Sequence, residues 1–157
     1  MMIETVQRLH DLDDRLASVR VAIQRPEYRR RLLSGLDIPG GITTLRLLRA
    51  VQRLGVEEAP SIRDVATRLA VEHSTASRSV DTAVKAGLLK REACEEDLRR
   101  TRLSLTARGR SLLKKGSARR RELLASVTDG WPSEDIDRLV ELLDALRLGF
   151  DRLERSG

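Results

Sequence analysis

Residues 60–89 read PSIRDVATRLAVEHSTASRSVDTAVKAGLL, and the fold turns on how this stretch divides. Pro60-Ser61 followed by Asp64 has the form of a helix start, with Ser61 as N-cap and Asp64 at the third helical position. Val65, Ala66 and Leu69 then supply an inward face, and the helix is expected to end near Leu69. Residues 70–73 read as a short turn. A second helix follows over residues 74–86, closed by Gly87 where a left-handed cap is wanted. Along it Ala76, Val80, Ala83 and Val84 recur at i, i+4, i+7 and i+8, one buried stripe. Burying that stripe turns Ser74, Ser77, Arg78, Asp81 and Lys85 outward and leaves Thr75 at the N-terminal edge.

The next segments extend the pattern. Residues 88–93 and 102–105 alternate in polarity and flank the charged run Cys94-Glu95-Glu96-Asp97-Leu98-Arg99-Arg100-Thr101, which predicts a β-hairpin with a polar tip. Helix, turn, helix and hairpin in that order is the layout of a winged helix-turn-helix. Its second helix suits a DNA major groove, because short hydroxyl side chains permit close approach and one Arg can donate twice to a guanine edge. The helix N-terminus favours a phosphate. A hairpin carrying Arg99, Arg100 and Arg102 suits a narrow minor groove, with Asp97 able to hold an arginine by a charge-assisted hydrogen bond. Read without DNA, the same residues make a polar surface helix and a solvated hairpin of balanced charge.

Outward from this centre the chain is helical. Val6, Leu9, Leu12, Leu16, Val19 and Ile23 continue a stripe begun at Ile3, on a helix over residues 3–24 that Pro26 interrupts. One or two further helical turns follow before Gly35. A helix over 42–54 is bounded by Pro39-Gly40-Gly41 and Gly55. Thr106 caps a long helix to about Val127, and Asp129-Gly130-Trp131-Pro132 ends it. Ser133 then starts a last helix carrying Ile136, Leu139, Val140, Leu143, Leu146 and Phe150, with Glu134 and Asp135 at its positive end. The expectation is a mainly α fold with a small β-hairpin wing. Its parts are an N-terminal helical region (1–35), a winged lobe (42–115) and C-terminal helices (116–157).

The 157 residues carry 30 Lys+Arg against 24 Asp+Glu, a net of +6, and the excess is localised. Residues 1–60 sum to +2, 61–121 to +9 and 122–157 to −5, so the cations gather on the predicted helix-turn-helix and wing. Position matters more than total here, because 26 of the 30 cations are Arg and base composition alone can raise that number. Three aromatic residues against 26 Leu argue against a β-sandwich. A single Cys makes no internal disulfide and fits a reducing cytoplasm. No apolar run reaches the length of a bilayer span and the N-terminus lacks a signal-peptide core, so neither a membrane nor a secreted protein is expected.

Three motifs together resemble the MarR family (multiple antibiotic resistance regulators) of bacterial transcription factors. Asp64-Val65-Ala66-Thr67-Arg68-Leu69-Ala70-Val71 is similar to the family's first motif helix. Ser74-Thr75-Ala76-Ser77-Arg78-Ser79-Val80-Asp81 with Ala86-Gly87-Leu88-Leu89 is similar to its recognition helix and wing entry. Asp97-Leu98-Arg99 matches the D-x-R wing signature, and Leu103-Ser104-Leu105-Thr106-Ala107-Arg108-Gly109 matches S-L-T-x-x-G. The resemblance covers about residues 45–115. It implies a homodimeric regulator that binds double-stranded DNA and is expected to repress, with a dimerisation region built from both chain ends. The 3–23 and 136–150 stripes fit that expectation by pairing across a two-fold axis; read without a dimer, they pack only on each other.

Carried onto this sequence, the resemblance makes Ser74, Thr75, Ser77 and Arg78 the major-groove residues. Arg99 becomes the minor-groove residue with Asp97 as its orienter, and Arg100, Arg102 and Lys85 become phosphate contacts. Two positions depart from the family. Glu72 stands where relatives carry a small capping residue, and Leu98 where the wing is often basic. Many members release DNA on binding a small molecule beside the dimer region, which makes His10, Tyr28, Arg31 and Trp131 candidates for an effector cleft. Cys94 does not fall at the family's N-terminal oxidant-sensing position. With two His and one Cys no metal ligand cluster is expected, no cofactor is implied, and no nucleophile or phosphate-loop signature points to an enzyme. Two other functions fit the same scaffold, a protein-interaction module and a non-specific DNA-coating protein.

Overall fold

The computed structural model describes residues 2–56, 58–93 and 101–155. In chain order it contains α1 (Met2–Gln24), α2 (Pro26–Leu33), α3 (Gly41–Leu54), α4 (Ile62–Leu69), α5 (His73–Lys85), β1 (Leu89–Ala93), β2 (Thr101–Leu105), α6 (Ala107–Val127) and α7 (Ser133–Arg155). The mainly helical architecture with one antiparallel hairpin is the one expected. Leu89 pairs with Leu105, Arg91 with Leu103 and Ala93 with Thr101. Pro26 does more than interrupt the first helix. It occupies the opening turn of α2, where its missing N–H costs nothing. Among the described residues no helix is long and apolar enough to cross a membrane.

The chain divides inside α6 into two compact units, Met1–Arg120 and Arg121–Gly157. The core of the first joins Leu47, Leu48 and Val51 of α3, Val65 of α4 and Val80 and Ala83 of α5. Leu88, Leu89, Leu103 and Leu105 from the hairpin and Leu113 of α6 complete it. The stripe expected on α5 is therefore the buried one. α1 contributes little to this core: Val6, Leu9 and Val19 are each about 60% exposed, with Leu16 half-buried.

The second unit is built on α7. The amides of Asp135 and Ile136 bond to the Pro132 carbonyl at 3.1 and 3.3 Å, so Pro132 takes the cap position and Ser133 is already helical. The last helix thus begins at Ser133, as expected, with the proline carbonyl closing its first turn. Val140, Leu143 and Phe150 of the last-helix stripe are half or more exposed. A groove of about 480 Å³ runs along the C-terminal part of α7, lined by Ala145, Leu146, Gly149, Phe150, Arg152 and Leu153.

Candidate nucleic-acid interface

Local hydrogen bonding sets each end of the helix-turn-helix. At the start of α4 the Asp64 carboxylate accepts from the Ser61 amide at 2.7 Å while the Asp64 amide donates to Ser61 Oγ at 3.3 Å, the reciprocal capping box expected. At its end Ala70 adopts φ +52°, and Val71 N donates to Ala66 O at 3.1 Å. A left-handed Ala is an uncommon solution that a Gly would fill without steric cost. It turns the chain within three residues into α5.

α5 begins at His73, one residue earlier than expected, with Glu72 as N-cap. The Glu72 carbonyl accepts from the Thr75 and Ala76 amides at 3.0 Å, but its side chain makes no capping hydrogen bond. The helix ends in a two-bond cap: Leu88 N reaches Ala83 O and Gly87 N reaches Val84 O, both at 2.9 Å, with Gly87 at φ +67°. Leu88, 1% exposed, seals that turn against the core.

Between those ends Ala76, Val80 and Ala83 are buried and fix the rotation of the helix. Ser74, Thr75, Arg78 and Lys85 lie exposed and Ser77 half-buried. The four residues read as major-groove contacts thus sit together on the first two turns. Arg78 Nε lies 3.4 Å from the Ser74 carbonyl oxygen, a long contact that uses neither of the two Nη groups. Lys85 stands at the far end of the same helix, about 10 Å beyond Arg78 at 1.5 Å per residue.

The structure also brings together pairs that the sequence did not announce. Asp81, on the outward face of α5, receives Arg91 of β1 at 2.6 Å. This pairs a carboxylate on the outer face of the helix and ties α5 to the first wing strand. Arg102 of β2, expected as a phosphate contact, is engaged within the chain. Its side chain is 18% exposed, Nη1 donates to Ala59 O at 2.7 Å and Nη2 pairs with the Glu58 carboxylate. The adjacent Leu103 amide donates to Pro60 O at 2.8 Å, lacing β2 to the segment before α4. The two acceptors that hold the guanidinium lie 43 and 44 positions away, invisible to local pattern.

α6 braces the wing from behind. Thr106 Oγ1 donates to Gly87 O at 2.7 Å and accepts from Gly109 N at 3.0 Å, so one hydroxyl caps α6 and pins the turn between α5 and β1. Arg108 reaches Ala86 O at the C-terminus of α5 at 3.0 Å, and Arg110 reaches Leu105 O at 2.6 Å. Asp97, Arg99, Arg100 and Cys94 lie outside the described residues.

The effector candidates fall on separate elements. His10 is exposed on α1 with Asp14 at 3.6 Å, while half-buried Tyr28 and exposed Arg31 share α2. Arg31 pairs with Glu27, and its carbonyl accepts from Arg119 Nε at 3.0 Å. Trp131, 49% exposed, belongs to the second unit. None of the four lines the α7 groove. Among the described residues no group of His, Cys, Asp and Glu is arranged to hold a metal ion.

Comparison with known proteins bears on the same elements. Residues 36–100 match the model of the MarR family. A MarR family protein from Bacillus stearothermophilus has this fold at TM-score 0.79 and 18% identity, over 92% of this chain and 96% of that one. The transcriptional regulator BldR from Sulfolobus solfataricus gives 0.71 at 23% identity, over 90% and 95%. A mutant of S. aureus MepR bound to an oligodeoxyribonucleotide gives 0.59 at 17% identity, over 90% and 97%. At these identities the likeness is one of fold.

Proposed function

We propose, from the premise that residues 36–100 make this chain a MarR-family winged helix-turn-helix protein, that it is a homodimeric, sequence-specific DNA-binding transcriptional regulator. The observation that carries the reading is the first two turns of α5. There Ser74, Thr75, Ser77 and Arg78 form a short polar surface, held in fixed rotation by the buried Ala76, Val80 and Ala83. Short side chains let the helix approach base edges, and Arg78 is the long donor that discriminates among them. The relative solved with an oligodeoxyribonucleotide shares this fold and favours the same partner here.

The open apolar stripes of α1 and α7 favour a homodimer, since a lone chain leaves Leu9 at 60% and Val140 at 62% exposure. A two-fold dimer presents two α5 helices to one face of DNA, so the operator is a pseudo-palindrome with half-sites about 10 bp apart. Occupying such a site obstructs polymerase, which makes repression the expected sign of regulation.

Selection of bound sequences from a random duplex pool tests the whole reading. The expected result is a two-fold-related pair of half-sites. Arg78→Ala should cost about 1–3 kcal/mol and erase preference at one base pair per half-site. Retention without sequence preference would make the protein a non-specific DNA-coating protein. No retention at low salt would leave a protein-interaction module.

A further inference from the structure

Every cation in the basic middle of the chain is a potential phosphate contact by charge alone, yet Arg102 is engaged inside the protein. Its fork spans two acceptors on the segment before α4, the Ala59 carbonyl and the Glu58 carboxylate. The Arg102 side chain is 18% exposed, while that of its acidic partner is 71% exposed. One residue on, the Leu103 amide donates to Pro60 O, and Ser61 then opens α4 through its capping box. β2 is thus stitched to the chain at the entry of the helix-turn-helix. On the other strand, Arg91 reaches Asp81 of α5. The hairpin is held from both sides, one strand to each helix of the motif.

We propose that Arg102 is a positioning residue of the DNA interface: with Glu58 and the Ala59 carbonyl it sets the wing against the helix-turn-helix, and it makes no phosphate contact. This rests on the DNA-binding reading above. A planar five-donor fork suits such a joint, because it satisfies a carbonyl and a carboxylate together where an ammonium is a single point charge. The ion pair also removes a negative charge from the neighbourhood of the wing at no cost in wing geometry.

The two roles for Arg102 predict opposite signs for Glu58→Gln. If Arg102 were a phosphate contact held back by Glu58, removing the carboxylate would free a cation and raise DNA affinity. If Arg102 positions the wing, the same change loosens the joint and lowers affinity. Binding of the full-length wild type, Glu58→Gln, Arg102→Gln and the double variant to the selected operator and to random duplex is followed by fluorescence anisotropy across a salt series. Expected is an operator affinity about two- to threefold lower for Glu58→Gln and about tenfold lower for Arg102→Gln. The double variant should be no worse than Arg102→Gln alone. The slope of log K against log salt stays at the wild-type value for Glu58→Gln, and Arg102→Lys restores affinity only in part.

Unchanged or raised affinity in Glu58→Gln overturns the proposal. So does a slope reduced by about 0.9 for each lost contact in Arg102→Gln with Glu58→Gln unaffected. Glu58 is exposed enough to replace without unfolding the chain, so that arm decides the matter even if Arg102→Gln fails to fold. A wild type that binds no duplex at low salt refutes the DNA-binding reading itself, a result distinct from any difference among variants.

Discussion

Gly109→Ala tests how α6 is joined to the helix-turn-helix and wing. A Cβ at residue 109 would lie 2.0 Å from the Leu88 carbonyl oxygen and 3.0 Å from its carbon, whereas real Cβ atoms essentially never come within 3.0 Å of another heavy atom. The obstruction is backbone, so no rotamer relieves it. Either Leu88 or the first turn of α6 retreats by at least 1 Å, about the gap between those two distances. Overpacking of that kind costs about 1–3 kcal/mol. The shift also disturbs the Thr106 Oγ1 bond to Gly87 O and the Thr106 amide bond to Leu88 O, at 2.7 and 3.1 Å. Losing one of them adds about 1 kcal/mol. Against this, Ala is favoured over Gly in a helix by roughly 1 kcal/mol. The net is a loss of about 2 kcal/mol, measured by urea unfolding at fixed protein concentration so that any linkage to self-association is held constant. Gly87→Ala is the control. Its Cβ meets nothing within 4 Å, so only the positive φ of +67° is strained and about 1 kcal/mol is expected. If Gly109→Ala unfolds within about 0.5 kcal/mol of wild type, the close approach of α6 to Leu88 is not as described.

Three further outcomes follow from particular residues. Glu72→Ser should stabilise by about 1 kcal/mol, by giving α5 the side-chain cap that Glu72 does not supply. It should also tighten DNA binding, because it removes a negative charge at the groove end of the helix; urea melts and duplex titrations read the two effects separately. Ala70→Gly should raise stability by about 0.5–1 kcal/mol, since φ +52° penalises a Cβ more than Gly costs in chain entropy. Lowered stability there would mean the turn between α4 and α5 is not left-handed at residue 70. Leu9→Glu, on a side chain 60% exposed in the single chain, should leave the winged lobe's thermal melt in place and shift sedimentation toward monomer. A dimer of undiminished strength would remove α1 from the interface.

Much of the winged lobe was legible because its signals are local. The capping pair Ser61 and Asp64, the Ala76–Val80–Ala83 spacing and the closing Gly87 each specify geometry within a few residues, where periodicity and cap chemistry act. The S-L-T-x-x-G match in residues 104–109 was legible as a resemblance, but its reason was not. Thr106 caps its own helix while donating to Gly87 O, and Gly109 is small because Leu88 lies against it. Those contacts join α6 to a turn some twenty positions earlier in the chain.

Charge shows the division most plainly. The sequence by itself determined that the cations concentrate between residues 61 and 121, on the helix-turn-helix and wing, and that the outer face of α5 is short and polar. Only the tertiary structure decided which cations are tied to acceptors beyond their own helix or strand. Arg102 is held by Ala59 with Glu58, and Arg91, Arg108 and Arg110, though exposed, are bonded to Asp81, Ala86 and Leu105, whereas Arg78 reaches only the Ser74 carbonyl on its own helix. The physical reason is that net charge sums over sequence, while a guanidinium bonds to whatever acceptor the fold carries within about 3 Å. Several of those acceptors are backbone carbonyls, whose positions no charge pattern encodes.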